Sequence, residues 1–231
     1  MHLELPKVSL HSFKDFTKHY LMIVLSILTA LGLEAWIEHT HRTHSAEAAS
    51  QQIEAEIRTN LTQTQASLTG DTEQLTRLNK IRDAVTQDLK AHVPEDAIKQ
   101  HILTLTQDNF DLGLHFPNLR HEAWDVGVAN QSVSWIKHDR MQRYSSAYAN
   151  QRDAIAMLAQ NTAILMSGTG LVDTLADLRT DEVQPREFLH VISHMIAMQS
   201  QTVQSLGTLE KQLSAALPNG NLDSAKPTPS S

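Results

Sequence analysis

The stretch Tyr20–Leu33, YLMIVLSILTALGL, runs fourteen residues without a charged side chain. In a hydrocarbon layer a lone segment satisfies its backbone N–H and C=O groups only as a helix. Fourteen helical residues span about 21 Å, short of the roughly 30 Å apolar core of a bilayer. Glu34 interrupts, and Ala35, Trp36 and Ile37 resume the apolar character. Counting to Ile37 gives about 27 Å. Glu34 then sits near the far interface, where its carboxylate reaches water at modest cost. Trp36 suits the aromatic belt at that interface.

The flanks give a direction. Lys7, Lys14 and Lys18 precede the run, whereas the first fixed positive charge after it is Arg42, among Glu34, Glu38 and Glu47. The positive-inside rule places the N-terminus in the cytoplasm. The expected organisation is a short cytoplasmic N-terminus (1–19), a transmembrane helix (20–37), an external, periplasmic helical domain (38–217) and a disordered tail (218–231). Lys14, Lys18, Glu34 and Trp36 mark the membrane interfaces. The competing reading is a cleavable signal peptide, with Ala30-Leu31-Gly32 as a small-x-small site. Against it, the following stretch keeps helix-forming residues with no Pro or Gly until Gly70.

Composition supports helix throughout. The chain has 231 residues, 41% hydrophobic but only 5% aromatic, with eight Gly and seven Pro. Few aromatics and long breaker-free stretches argue against a β-sandwich or barrel. A net charge of −7 argues against a generic nucleic-acid partner. The lack of cysteine removes disulfides, thiolate catalysis and cysteine-ligated metal centres.

Beyond the apolar run, hydrophobic residues recur at helical spacing. Ile53, Ile57, Leu61 and Leu68 make one stripe; Leu75, Leu78, Ile81, Val85 and Leu89 make a second. Gly70-Asp71 between them predicts a break, with Asp71 or Thr72 capping the next helix. Pro94 predicts the first turn of a helix carrying Ile98 and Ile102. Residues 108–118 read as an irregular loop. A short helix around 121–130 and a long one over 134–166 follow, ended by Ser167-Gly168-Thr169-Gly170. A short piece, 171–178, precedes a Pro185-initiated helix with Phe188, Ile192, Met195, Leu206, Leu209 and Leu213 inward. Gln151 and Thr162 interrupt the inner face of the 134–166 helix, and Gln199 and Thr202 that of the last. Together they predict a wet layer. The expected fold is all-α: an N-terminal transmembrane helix followed by an antiparallel bundle of long helices.

Residues 19–61 resemble a group of uncharacterised single-pass bacterial envelope proteins of the inner membrane. The resemblance rests on Leu33-Glu34-Ala35-Trp36 closing the apolar run and on the Ile-Glu-x-Glu-Ile-x-x-Asn-Leu stretch from Ile53 to Leu61. Ala123-Trp124-Asp125, followed by a long helix with Tyr144 and Tyr148, is similar to their central block. The two segments cover about a third of the chain. They imply a short membrane helix joined to an external helical domain, and carry no chemistry.

Thirteen histidines are many for this length. His39, His41 and His44 cluster just beyond the apolar run, and His190 and His194 stand four apart on the last helix. Imidazoles at such spacings can grip Zn²⁺ or Cu²⁺, so these five are the candidate metal ligands. The blander reading of both clusters, a solvated helix surface, outweighs it, since the HExxH order is missing. Trp124, Asp125 and Trp135 read as a packing anchor before the long helix, and Tyr144 and Tyr148 as core. The Ser167–Gly170 stretch is neither a nucleophile elbow nor a phosphate loop. No residues pair for catalysis, so neither an enzyme nor a cofactor is expected. Ser26, Thr29 and Gly32 recur every third residue in the apolar run and form a candidate helix-association seam. The partners expected are the lipid bilayer and a membrane or envelope protein, or a second copy of the chain. The alternative is a periplasmic sensory or ligand-binding module signalling through a membrane partner.

Overall fold

The expected break at Gly70-Asp71 does not occur. In the computed structural model a single helix, α1, runs from Phe13 to Lys90. Its 78 residues extend about 117 Å at the α-helical rise. Residues 13–107, 110, 113–167 and 169–218 are described, without the side chains of 13–15, 165–167 and 169. Lys7, the Lys14 side chain, the Ser167-Gly168-Thr169 side chains and the tail from 219 lie outside the described residues.

Among the described residues there are five further α-helices, one 3-10 turn and no strand. They are α2 (Glu95–Thr106), α3 (Glu122–Ala129), the 3-10 turn Ser132–Trp135, α4 (His138–Ser167), α5 (Thr169–Arg179) and α6 (Pro185–Ala216). The all-α expectation holds, and Pro185 opens α6 as expected. Pro94 instead stands just before α2, with Glu95 and Asp96 in its first turn, where the helix dipole favours them.

Gly70 was misread because glycine commonly punctuates helices. Here it makes room. A Cβ at Gly70 would meet the His115 ring at 3.2 Å, so the glycine lets a returning segment lie against α1. α1 ends later, where His92 takes a left-handed φ of 56° and the Val93 N–H donates to the Asp88 carbonyl at 3.1 Å. That pattern satisfies an otherwise orphaned terminal carbonyl.

The return path sets the helix directions. α2 folds back beside the end of α1, with His101 Nδ1 2.6 Å from Asp88 Oδ2. An irregular segment then climbs along α1: the His115 N–H donates to Asp71, the Arg120 N–H to Asn60 and the Ala123 N–H to Glu56, each at 2.9 Å. Gly127 on α3 lets the chain turn tightly, since a Cβ there would lie 2.8 Å from Val133 Cγ1. α4 therefore starts high on α1 and descends parallel to it, Arg140 meeting Glu47, Tyr144 meeting Glu54 and Tyr148 meeting Glu56. α6 runs antiparallel to both, with Gln65 on Glu210 and Asn161 on Thr202. The uniform antiparallel order expected from sequence is thus replaced by a parallel α1–α4 pair, because residues 91–137 carry the chain back before α4 begins.

Two apolar clusters hold the helices together. One gathers Ile53, Ile57, Tyr144, Tyr148, Leu209 and Leu213; the other gathers Leu78, Val85, Ile98, Ile102, Phe188, Ile192 and Met195. The segment 16–39 takes no part, and nearly all its side chains are exposed. Burial on α1 begins at Ala46.

Candidate functional site

Between the two apolar clusters the interior is polar. On α1 the buried positions step by fours and threes: Ile53, Ile57, Asn60, Thr64, Ser67, Asp71, Gln74, Leu78. That spacing keeps one face of a helix inward. The middle five are polar, and each is under 10% exposed. Gln151 and Asn161 on α4 and Gln199 and Thr202 on α6 face them, all buried. A buried polar layer lies where the sequence predicts one, around Gln151, Gln199 and Thr202. Thr162 stands at its edge, half-buried, and returns its hydroxyl to the Leu158 carbonyl. The α1 half of the layer was missed, because its polar residues resemble a solvated face until the helix is known to continue.

Most of these groups are paired. Asn60 Nδ2 donates to the Arg120 carbonyl at 2.7 Å and to Gln151 Oε1 at 2.9 Å, while its Oδ1 accepts the Arg120 N–H. Gln151 Nε2 donates to the same carbonyl at 2.8 Å. Asp71 is fully buried. Its Oδ1 lies 2.9 Å from both the backbone N and Nδ1 of His115, whose ring is about half exposed. Among the described residues, Asp71 Oδ2 and Gln199 Oε1 have no hydrogen-bond partner. Such polar contacts fix register more than they stabilise, since each must offset its own desolvation.

A cleft of about 360 Å³ opens where α3 meets α4, lined by His121, Trp124, Asp125, Tyr148, Arg152 and Ile155. Trp124 stacks on Tyr148 with ring centroids 5.3 Å apart, which bears out its reading as a packing anchor. The Tyr144 and Tyr148 hydroxyls donate to Glu54 and Glu56 at 2.6 and 2.5 Å. Burial first, then those carboxylates, push both phenols far above the usual tyrosine range, so both remain hydrogen-bond donors. Glu122 is held below the ordinary carboxylate range, chiefly by its own backbone N–H.

The sequence offers Arg120 or Arg140 as the partner of Asp125, or a helix-capping role; Asp125 pairs instead with His121. Its Oδ2 lies 2.7 Å from His121 Nδ1, and that hydrogen bond, with the aspartate's charge, raises the imidazole pKa from 6.5. The pair favours the protonated ring. Its contribution is present below pH 6.5 and disappears as pH rises through the folded-state value. We expect NMR titration of His121 to give a midpoint above 6.5, returning toward it in Asp125→Asn. A midpoint at or below 6.5 in the parent chain would contradict the pairing.

The remaining candidates are placed as follows. His39, His41, His44, His190 and His194 are exposed, and among the described residues no three His, Asp or Glu side chains gather to hold a metal ion. Helical spacing brings these rings onto shared faces but supplies no third ligand. Ser26 and Thr29 return their hydroxyls to the carbonyls of Met22 and Leu25, both at 2.8 Å. A Cβ at Gly32 would meet nothing within 4 Å, so that face of α1 is open. Lys18, Glu34 and Trp36 are exposed on the same helix. Trp135 lies beneath the Arg42 guanidinium, 4.0 Å from its ring centroid, rather than with Trp124. No family model matches this chain, and no curated protein or solved structure is significantly similar to it.

Proposed function

We propose that the chain is a single-pass protein of a bacterial inner membrane, with its N-terminus cytoplasmic and its helical bundle, 38–217, in the periplasm. It acts there by contact with other proteins rather than by catalysis. The observation that carries this reading is the change along α1. The helix is apolar with no buried side chain in its first part and becomes the spine of the packed domain from Ala46. A core helix would bury its apolar stretch, whereas lipid is the solvent that suits an exposed one.

The internal hydrogen bonds of Ser26 and Thr29 satisfy both hydroxyls within the helix, as lipid requires. With Gly32 they form a small-residue seam open to a second helix. Disulfide trapping in native membranes, through single cysteines beside the seam, tests the contact. We expect a cross-linked homodimer or partner adduct that disappears when Ser26, Thr29 and Gly32 become leucine. Unchanged cross-linking in that variant would contradict the seam.

A second reading is a ligand-binding sensory module. The α3–α4 cleft favours it, because its size is that of small-molecule sites and it sets Trp124 beside Arg152 and the His121–Asp125 pair. Thermal shift with a small-molecule panel separates the two: a ligand module is stabilised by a subset of compounds, a scaffold by none.

A further inference from the structure

We infer that a cleft at the end of the helical domain nearest the apolar run docks on anionic phospholipid headgroups of the leaflet next to it. The inference rests on the membrane-anchored reading of α1. The cleft, about 360 Å³, is lined by His39, Arg42 and Glu47 of α1 and by Trp135, Lys137 and Arg140 from the start of α4 and the turn before it.

Its depth fits. Arg42 stands five residues beyond Ile37, the end of the apolar run, which is about 7.5 Å along the helix. The headgroup layer on each side of a bilayer is about 5–7.5 Å thick, so the Arg42 backbone stands at its outer edge and the long side chain can reach back into it. Because α1 is unbroken, the cleft is held at that level by the anchor itself.

Its chemistry fits too. Trp135 remains 47% exposed beneath the Arg42 guanidinium. An indole with one apolar face and a free edge, beside long cationic side chains, belongs at a lipid–water boundary. Arg42, Lys137 and Arg140 line the cleft with Glu47 as the one carboxylate among its lining residues, while Glu38 and Asp139 stand beside it in the chain. Arg42 pairs with Glu38, and Arg140 with Glu47 at 3.1 Å. Lys137 joins no ion pair found among the described residues, so its ammonium is the group placed to meet a lipid phosphate.

The test uses the full chain in nanodiscs of phosphatidylcholine, with or without phosphatidylglycerol, carrying bromine high on the acyl chains as a shallow quencher. The three tryptophans are Trp36, Trp124 and Trp135. Trp36→Phe, compared with Trp36→Phe/Trp135→Phe, isolates the Trp135 signal and leaves the stacked Trp124 in place. Trp135→Phe, compared with the same double variant, isolates Trp36. Trp135 is expected to be quenched, more strongly with phosphatidylglycerol, and Lys137→Gln to lower that lipid-dependent part about fivefold, the effect of one surface cation. Equal quenching with and without phosphatidylglycerol overturns headgroup recognition. Trp36 quenched while Trp135 is not overturns the docking and leaves the anchor standing. If neither is quenched, the anchored reading fails and the inference falls with it.

Discussion

Replacing Leu25 and Leu28 together by arginine moves the chain from the membrane pellet to the soluble fraction. Both residues lie near the middle of the apolar run and are more than 60% exposed, so neither supports the packed domain. Each arginine at the centre of a membrane helix costs about 2.5–3.5 kcal/mol on insertion scales, and each lost leucine adds a few tenths. The pair is therefore worth roughly 6–8 kcal/mol, enough to abolish stable insertion. Helicity and thermal unfolding of the released chain should change little. A control pair, Thr59→Arg with Ala66→Arg on the exposed face of α1, should stay in the pellet. Sedimentation and carbonate extraction read both. A doubly substituted chain still resistant to carbonate would contradict an anchor in this segment.

The second large effect lies inside the domain. Asn60→Ala removes two hydrogen bonds to the Arg120 backbone and one to Gln151. The Arg120 N–H and Gln151 Oε1 then lose their partner in a buried layer. At about 1–3 kcal/mol for each of the two orphaned groups, the loss is about 2–6 kcal/mol. The return segment would detach from α1 first, because Asn60 is one of the few ties along it. Thr59→Ala, one residue away and exposed, should stay within about 0.5 kcal/mol of the parent. Urea unfolding of the three chains checks this. Equal stability of Asn60→Ala and the parent would mean that the polar layer is not tied as described.

Both results bear on what the sequence discloses. The apolar run, the helical class and the α6 face were legible because they follow from composition and spacing alone. The continuity of α1 was not. From Ile53 to Val85 the inward positions keep one rhythm of fours and threes, but Asn60, Thr64, Ser67, Asp71 and Gln74 are polar. A search for apolar periodicity follows Leu61 and Leu68 instead, which the fold leaves half-buried, and Gly70 then supplies a ready reason to stop. What identifies them as inward is their register with Ile53 and Leu78, a signal that survives when polarity is ignored. Asp71 illustrates the cost. It reads as a helix cap, yet it is buried mid-helix against His115, a partner 44 residues away.

The histidines pose the opposite problem. His39, His41, His44, His190 and His194 hold suggestive spacing, but helical geometry supplies at most two ligands from one face, and among the described residues no third side chain joins them. The α3–α4 cleft was only half visible. Trp124 and Asp125 stood out, whereas Arg152 and Ile155 entered through the parallel packing of α4 on α1, which no local pattern encodes.

The most direct test of the membrane-anchored reading is topology measured together with cleavage. The full chain would carry a C-terminal reporter active only outside the cytoplasm, with intact mass and fractionation read from the same sample. The account predicts an active reporter on an uncleaved, carbonate-resistant chain. An active reporter on a soluble chain beginning near Leu33, or an inactive reporter on an intact chain, would contradict it.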